Sequence, residues 1–148
     1  MERRRKEFLI STDKEKLDRT LIHRFLSTES GWANGIKFET VNKAIENCLN
    51  FGVYYQDKQI GYAKVISDFA TIAYLGDVFI LDKFRGIGLS KWLMESILSH
   101  EELQNLRRWI LLTNTAPWLY EKYGFTKLAN PDFYMERHNP KVYDLPDQ

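Results

Sequence analysis

Three extended runs in succession constrain this chain more than any other feature. Phe51 to Gln56 and Gln59 to Ser67 are rich in β-branched and aromatic residues and are joined by Asp57-Lys58, a tight hairpin signal. Asp68-Phe69 leads into the third run, Ala70 to Leu81, so the three read as an antiparallel meander. Ahead of them Phe8-Leu9-Ile10-Ser11 reads as a short strand. The spacing of Leu17, Leu21, Ile22 and Phe25 predicts a helix from Lys14 to Leu26 that Asp13 caps. Thr28 to Gly35 is a loop. Thr40 caps a second helix carrying Val41, Ala44, Ile45 and Cys48 on one side. After the meander, Leu89 to His100 is an amphipathic helix, Trp109 to Leu112 a strand, and Pro117 to Tyr123 a short helix stopped by Gly124. Phe125 to Leu128 opens a last strand. Strand Ala70–Leu81, the helix after it and strand Trp109–Thr113 make a right-handed crossover unit. The class is α+β with a mixed, mostly antiparallel sheet.

Composition narrows the function classes. At 148 residues the chain suits a single domain, 1–148, which buries roughly 68–70% of its unfolded surface. With 21 basic against 20 acidic residues the net charge is +1, which gives no reason to expect a nucleic-acid backbone binder. One cysteine, Cys48, excludes an internal disulfide and a multi-cysteine zinc site and fits a reducing, cytoplasmic setting. The three histidines, His23, His100 and His138, show no metal-ligand spacing, so no metal is expected. No apolar run approaches the roughly 18 residues that spanning a bilayer takes. Arg3-Arg4-Arg5-Lys6 reads as a solvated tail, and the C-terminal stretch as ordered only by Tyr143 and Leu145. The aromatic share, 14%, is high enough to ask whether part of it lines a small-molecule pocket.

The stretch Asp82-Lys83-Phe84-Arg85-Gly86-Ile87-Gly88-Leu89-Ser90-Lys91 sits between a strand and an amphipathic helix. Glycines there turn the backbone so that free amides at a helix N-terminus point outward, an arrangement suited to phosphate. Lys83, Arg85 and Lys91 add cationic side chains. No Walker A pattern is present, and Lys91 stands where the dinucleotide fingerprint needs a third small residue.

Arg85-Gly86-Ile87-Gly88-Leu89-Ser90 resembles the Arg/Gln-x-x-Gly-x-Gly/Ala signature of the GCN5-related N-acetyltransferases (GNAT family). Leu119-Tyr120-Glu121-Lys122-Tyr123-Gly124-Phe125 is similar to that family's Leu-Tyr-Glu-Lys-x-Gly-Phe helix and turn. Ser90 departs from the usual Gly or Ala, and Thr113, beside Asn114, stands where Asn is frequent. The resemblance covers the whole chain and implies a GNAT-like mixed sheet of six to seven strands flanked by about four helices. It implies acetyl-CoA as donor and direct transfer to an amine of a small molecule or a peptide, without an acyl-enzyme. It places the pantetheine arm on Val78, Phe79 and Ile80 and the pyrophosphate on Arg85, Gly86, Ile87, Gly88, Leu89, Ser90 and Lys91, with Thr113 and Asn114 at a further donor contact. It matches Tyr120 to the general acid that assists thiolate departure, with Tyr123 a weaker substitute.

Asp77 interrupts an apolar strand, and Gly76 beside it hints at a bulge that re-aims the side chain. Base, acceptor contact and structural role all remain open for it. Trp32, Tyr62, Phe69 and Tyr74 are candidate walls of an acceptor pocket or, alternatively, core residues. The expected partner is therefore an amine acceptor rather than a nucleic acid or a membrane, and the resemblance admits a homodimer. The rival reading is a non-catalytic acyl-CoA-binding regulatory module on the same fold.

Overall fold

The computed structural model describes residues 1–144. Six strands form one sheet in chain order: β1 (Glu2–Arg5), β2 (Phe8–Ser11), β3 (Leu49–Tyr55), β4 (Lys58–Ser67), β5 (Ile72–Ile80) and β6 (Arg108–Leu111). Each strand pairs antiparallel with the next except the last two, which run parallel. The parallel pair needs a crossover, and α3 (Leu89–Leu98) supplies it. On one face α1 (Arg19–Thr28) and α2 (Phe38–Glu46) bury Ile22, Phe25, Leu26, Val41 and Ile45 against Tyr62 and Phe79. On the other, α3 and α4 (Pro117–Glu121) pack Trp92, Leu93, Ile97, Leu119 and Tyr120 onto Phe51, Val53, Val65, Ala73 and Leu75. This is the mixed, mostly antiparallel sheet with four helices that the sequence implies.

Leu93 has no exposed surface at the centre of the larger cluster. Leu93→Ala is expected to lower unfolding free energy by about 3 kcal/mol, read from urea denaturation. A loss below about 1 kcal/mol would mean that α3 is not packed as described.

Four local expectations change. The helix expected from Lys14 breaks at Leu17-Asp18: Asp13 caps only a 3-10 turn (Lys14–Lys16), and Asp18 accepts from Leu21 N–H at 3.0 Å to start α1. Two aspartates compete as caps, and Asp18 has the register that buries Leu21, Ile22, Phe25 and Leu26. The second helix begins at Phe38, so Thr40 lies inside it. The basic N-terminus is a strand, not a tail. Arg5 stacks over Trp92 at 4.9 Å and Arg3 donates to Ser99 Oγ at 2.8 Å, which lays two of the arginine side chains on α3. No strand follows α4 among the described residues: Phe125 packs its ring against Trp109 and Tyr120, and the chain runs on without a ladder to a 3-10 turn at Pro131–Phe133. Tyr143 returns to pack at Gly35, while Leu145 lies outside the described residues.

Candidate active site

The site begins where two strands part. β5 pairs with β6 from Ile72↔Arg108 to Leu75↔Leu111, after which β6 ends and β5 continues to Ile80. Leu81 N–H donates to Ile60 at 2.8 Å across β4, so by strand alternation Ile80 and Val78 turn their backbone groups to the edge that β6 has left. The Ile80 carbonyl there is taken by Arg85 Nε at 2.8 Å. The Val78 amide and carbonyl remain to pair with an extended group. Phe79 differs from expectation: its backbone faces β4 and its ring stacks on Phe25 with centroids 3.9 Å apart.

β5 runs directly into the glycine loop. Gly86 has φ +79° and Gly88 φ +87°, the left-handed region that side chains resist, and Gly88 is the N-cap of α3. No side chain caps α3, so the amides of its first turn, at Leu89, Ser90 and Lys91, keep their donors and the positive end of the helix dipole. Ile87 is exposed, Leu89 sits in the core, and Lys91 is at the surface. Arg85 is not a loose cation: besides Ile80 it pairs with Asp82 at 2.6 Å, bracing the loop from behind.

On the face toward α1, β5 carries the bulge that Gly76 hinted at. Gly76 pairs with Lys64 and Phe79 with Tyr62, so Asp77 and Val78 together oppose Ala63, and Asp77 takes φ +53°. Both carboxylate oxygens are engaged. Oδ2 meets Lys64 Nζ at 2.8 Å and Oδ1 accepts from Trp32 Nε1 at 3.0 Å. Burial pulls the Lys64 ammonium down, but the Asp77 charge outweighs it and the net displacement is upward. Lys64 was not singled out from the sequence, although a lysine inside a central strand facing an aspartate on the next was a usable signal.

Tyr120 lies in α4, 9% exposed, edge-on to Phe125 at 6.0 Å. Burial raises its phenol above the ordinary value. Tyr123 donates to the Lys91 carbonyl at 3.1 Å, which ties the turn carrying Tyr120 to the first turn of α3 and occupies Tyr123 structurally. Thr113 Oγ1 accepts from Ala116 N–H at 3.2 Å ahead of α4, and Asn114 is exposed beside it.

The four aromatic candidates separate. Trp32 is 56% exposed in the α1–α2 loop and reaches Asp77. Tyr74 is half-buried on the same face of β5. Tyr62 is a correction: it is 1% exposed and its hydroxyl donates to Asn50, so it is core. Phe69 is also displaced, at the β4–β5 turn, the opposite end of β5 from the glycine loop. Among the described residues no group of three or more His, Cys, Asp or Glu is placed to hold a metal, and no helix is long and apolar enough to cross a membrane. His23 bonds the Ile36 carbonyl and His100 accepts from Glu102 N–H, both as satisfied structural groups. Burial raises the Cys48 thiol, which keeps it protonated.

Comparison with known proteins agrees with this architecture. Residues 46–127 match the family model described as the acetyltransferase (GNAT) domain. A crystal structure of a candidate GNAT-family acetyltransferase from Xanthomonas campestris pv. campestris superposes with a TM-score of 0.91 at 46% identity, over 93% of this chain and 97% of that one. A candidate acetyltransferase of Gibberella zeae is 29% identical over 140 residues, 80% of this chain and 78% of its own length. A Clostridium acetobutylicum structure solved with acetyl-CoA shares the fold, with a TM-score of 0.65 at 14% identity over 88% of this chain and 94% of that one. The strand splay, the glycine loop and the buried tyrosine thus sit in an acyltransferase: the chain belongs to the GNAT acetyltransferase family.

Proposed function

We propose that the chain, working as one domain, transfers the acetyl group of acetyl-CoA directly to an amine. The carrying observation is continuity: the backbone edge of β5 that β6 leaves open leads straight into two left-handed glycines and the uncapped start of α3. An extended arm followed by a diphosphate needs donors and acceptors in that order. The fold shared with a structure solved with acetyl-CoA supports the same reading. Bound acetyl-CoA supplies an activated acetyl thioester.

The chain's own residues do the rest. Val78 holds the arm as a further strand would, and the amides from Gly86 to Lys91 hold the diphosphate, with the Ser90 hydroxyl as an added donor. Thr113 Oγ1 accepts from Ala116 N–H and keeps its own O–H to donate, so Thr113 and the exposed Asn114 both stand at the expected further contact. Tyr120 donates its phenolic proton to the sulfur as the C–S bond breaks and the N–C bond forms, then regains a proton from solvent. Asp77 is held by Lys64 and Trp32 as a positioned anion, and in this reading the acceptor's proton passes to water.

An amine panel followed by release of CoA thiol tests the proposal. Turnover is expected with at least one primary amine and with neither component alone. A CoA-dependent rise in Tm without thiol release across the panel would favour a non-catalytic module instead.

A further inference from the structure

We infer that the acceptor is an alkyl amine carried on a flat, uncharged aromatic or heteroaromatic body, recognised by Trp32 and Tyr74 and depending on Lys64 as a positioning residue. The inference deepens the proposed transfer and rests on it for the identity of the reacting amine. α1 and α2 cover the sheet face at Tyr62 and Phe79. Further along the same face Lys64 and Ile66 of β4 and Tyr74 and Gly76 of β5 lie side by side, paired Lys64↔Gly76 and Ile66↔Tyr74. Gly76 is what lets the Tyr74 ring lie along the strand: a Cβ there would stand 2.9 Å from Tyr74 Cε1. The ring therefore forms a floor next to the bulge rather than standing off the sheet.

Trp32 supplies the wall. Its loop is flanked by left-handed Gly31 and Gly35, which alone would leave the indole without a fixed orientation. The hydrogen bond to Asp77 fixes the edge of the ring, Phe25 supports it at 6.4 Å, and its exposed surface stays available. Lys64 completes the device: by taking Oδ2 of Asp77 it turns Oδ1 to the indole. It also neutralises the carboxylate that faces this site. A polycationic acceptor would thus meet a charge already matched and the Lys64 ammonium beside it. An acceptor with a single ammonium on a flat neutral body meets less of that repulsion than a polycation does and gains two aromatic surfaces.

The test reads binding apart from turnover. Isotope-labelled protein is titrated with phenethylamine, hexylamine and spermidine while the Trp32 indole N–H resonance, identified with Trp32→Phe, is followed. Phenethylamine is expected to shift that resonance saturably at a concentration about tenfold below hexylamine, and spermidine to leave it in place. Lys64→Met should move the resonance toward that of a solvent-exposed indole and weaken phenethylamine about tenfold, with Lys64→Arg restoring most of both. Equal responses to all three amines, or the strongest to spermidine, overturn the aromatic assignment even if thiol release demonstrates transfer. An unmoved resonance and affinity in Lys64→Met overturn the positioning role. A selective phenethylamine response without thiol release from any amine upholds the aromatic site and sinks the transfer reading instead.

Discussion

Tyr120→Phe is expected to lower kcat by about a hundredfold or more while leaving the Kd for acetyl-CoA within about twofold. The asymmetry follows from where the hydroxyl acts. Phenylalanine keeps the ring against Phe125 and keeps α4 packed on α3, so the donor site stays built. What disappears is the proton offered to the leaving sulfur. A thiolate of ordinary pKa about 8.5 is a competent leaving group, but inside a buried site its charge must be met by some donor. Because burial raises the Tyr120 phenol, the residue stays protonated below its displaced pKa and gives up its proton only above it. Loss of this acid should therefore produce a falling limb in the rate only above the ordinary range of a phenol. Stopped assays of kcat across pH, with titration calorimetry for acetyl-CoA, separate the two parameters. A Tyr120→Phe enzyme with unchanged turnover would remove the acid role altogether.

The second large effect is expected at Gly88. Gly88→Val should raise the Kd for acetyl-CoA by about a hundredfold or more, because a β-branched residue at φ +87° is forced out of the left-handed region and takes the first amides of α3 with it. No heavy atom stands within 4 Å of the Cβ position, so the loss comes from backbone geometry and not from a clash with the protein. The variant should still fold, since the loop is exposed and the core residues of α3 are untouched. Calorimetric titration and the CoA-dependent rise in Tm both report it. Wild-type affinity in Gly88→Val would show that the diphosphate is held elsewhere.

The order of elements and the glycine loop were legible because each rests on short-range chemistry. Alternating β residues marked the hairpin, although its two-residue turn is Gln56-Asp57, both at positive φ, one residue before the expected Asp57-Lys58, and Gly86 and Gly88 marked the required backbone turn. The bulge at Gly76-Asp77 was legible for the same reason. Long-range partners were not. The partners of Arg85 are one case: the turn Asp82–Phe84 brings it onto Ile80 and Asp82 while its side chain stays exposed. For Asp77 three roles stay open in the sequence, because its partners, Lys64 from β4 and Trp32 from the α1–α2 loop, arrive from distant parts of the chain. Tyr62 and Tyr74 both sit in β-rich runs, yet the helix layer covers only Tyr62, a distinction set by where α1 and α2 lie. The helix break at Leu17-Asp18 turned on two competing caps, a choice that burial of Leu21 and Ile22 decides.

The neighbour-to-neighbour order of the sheet has a consequence for how the molecule assembles. Strands β3, β4 and β5 follow one another across short turns, while β2 meets β3 only across α1 and α2 and β6 reaches its place only after α3 has crossed the sheet. Local pairings close with little loop entropy, and the parallel crossover closes with more. The β3–β5 meander can thus form first, with the β2–β3 closure and the crossover following. The gap at the end of β6 is then a seam between an early-folding and a late-folding part, and local opening there would separate Tyr120 from Val78 without unravelling the meander.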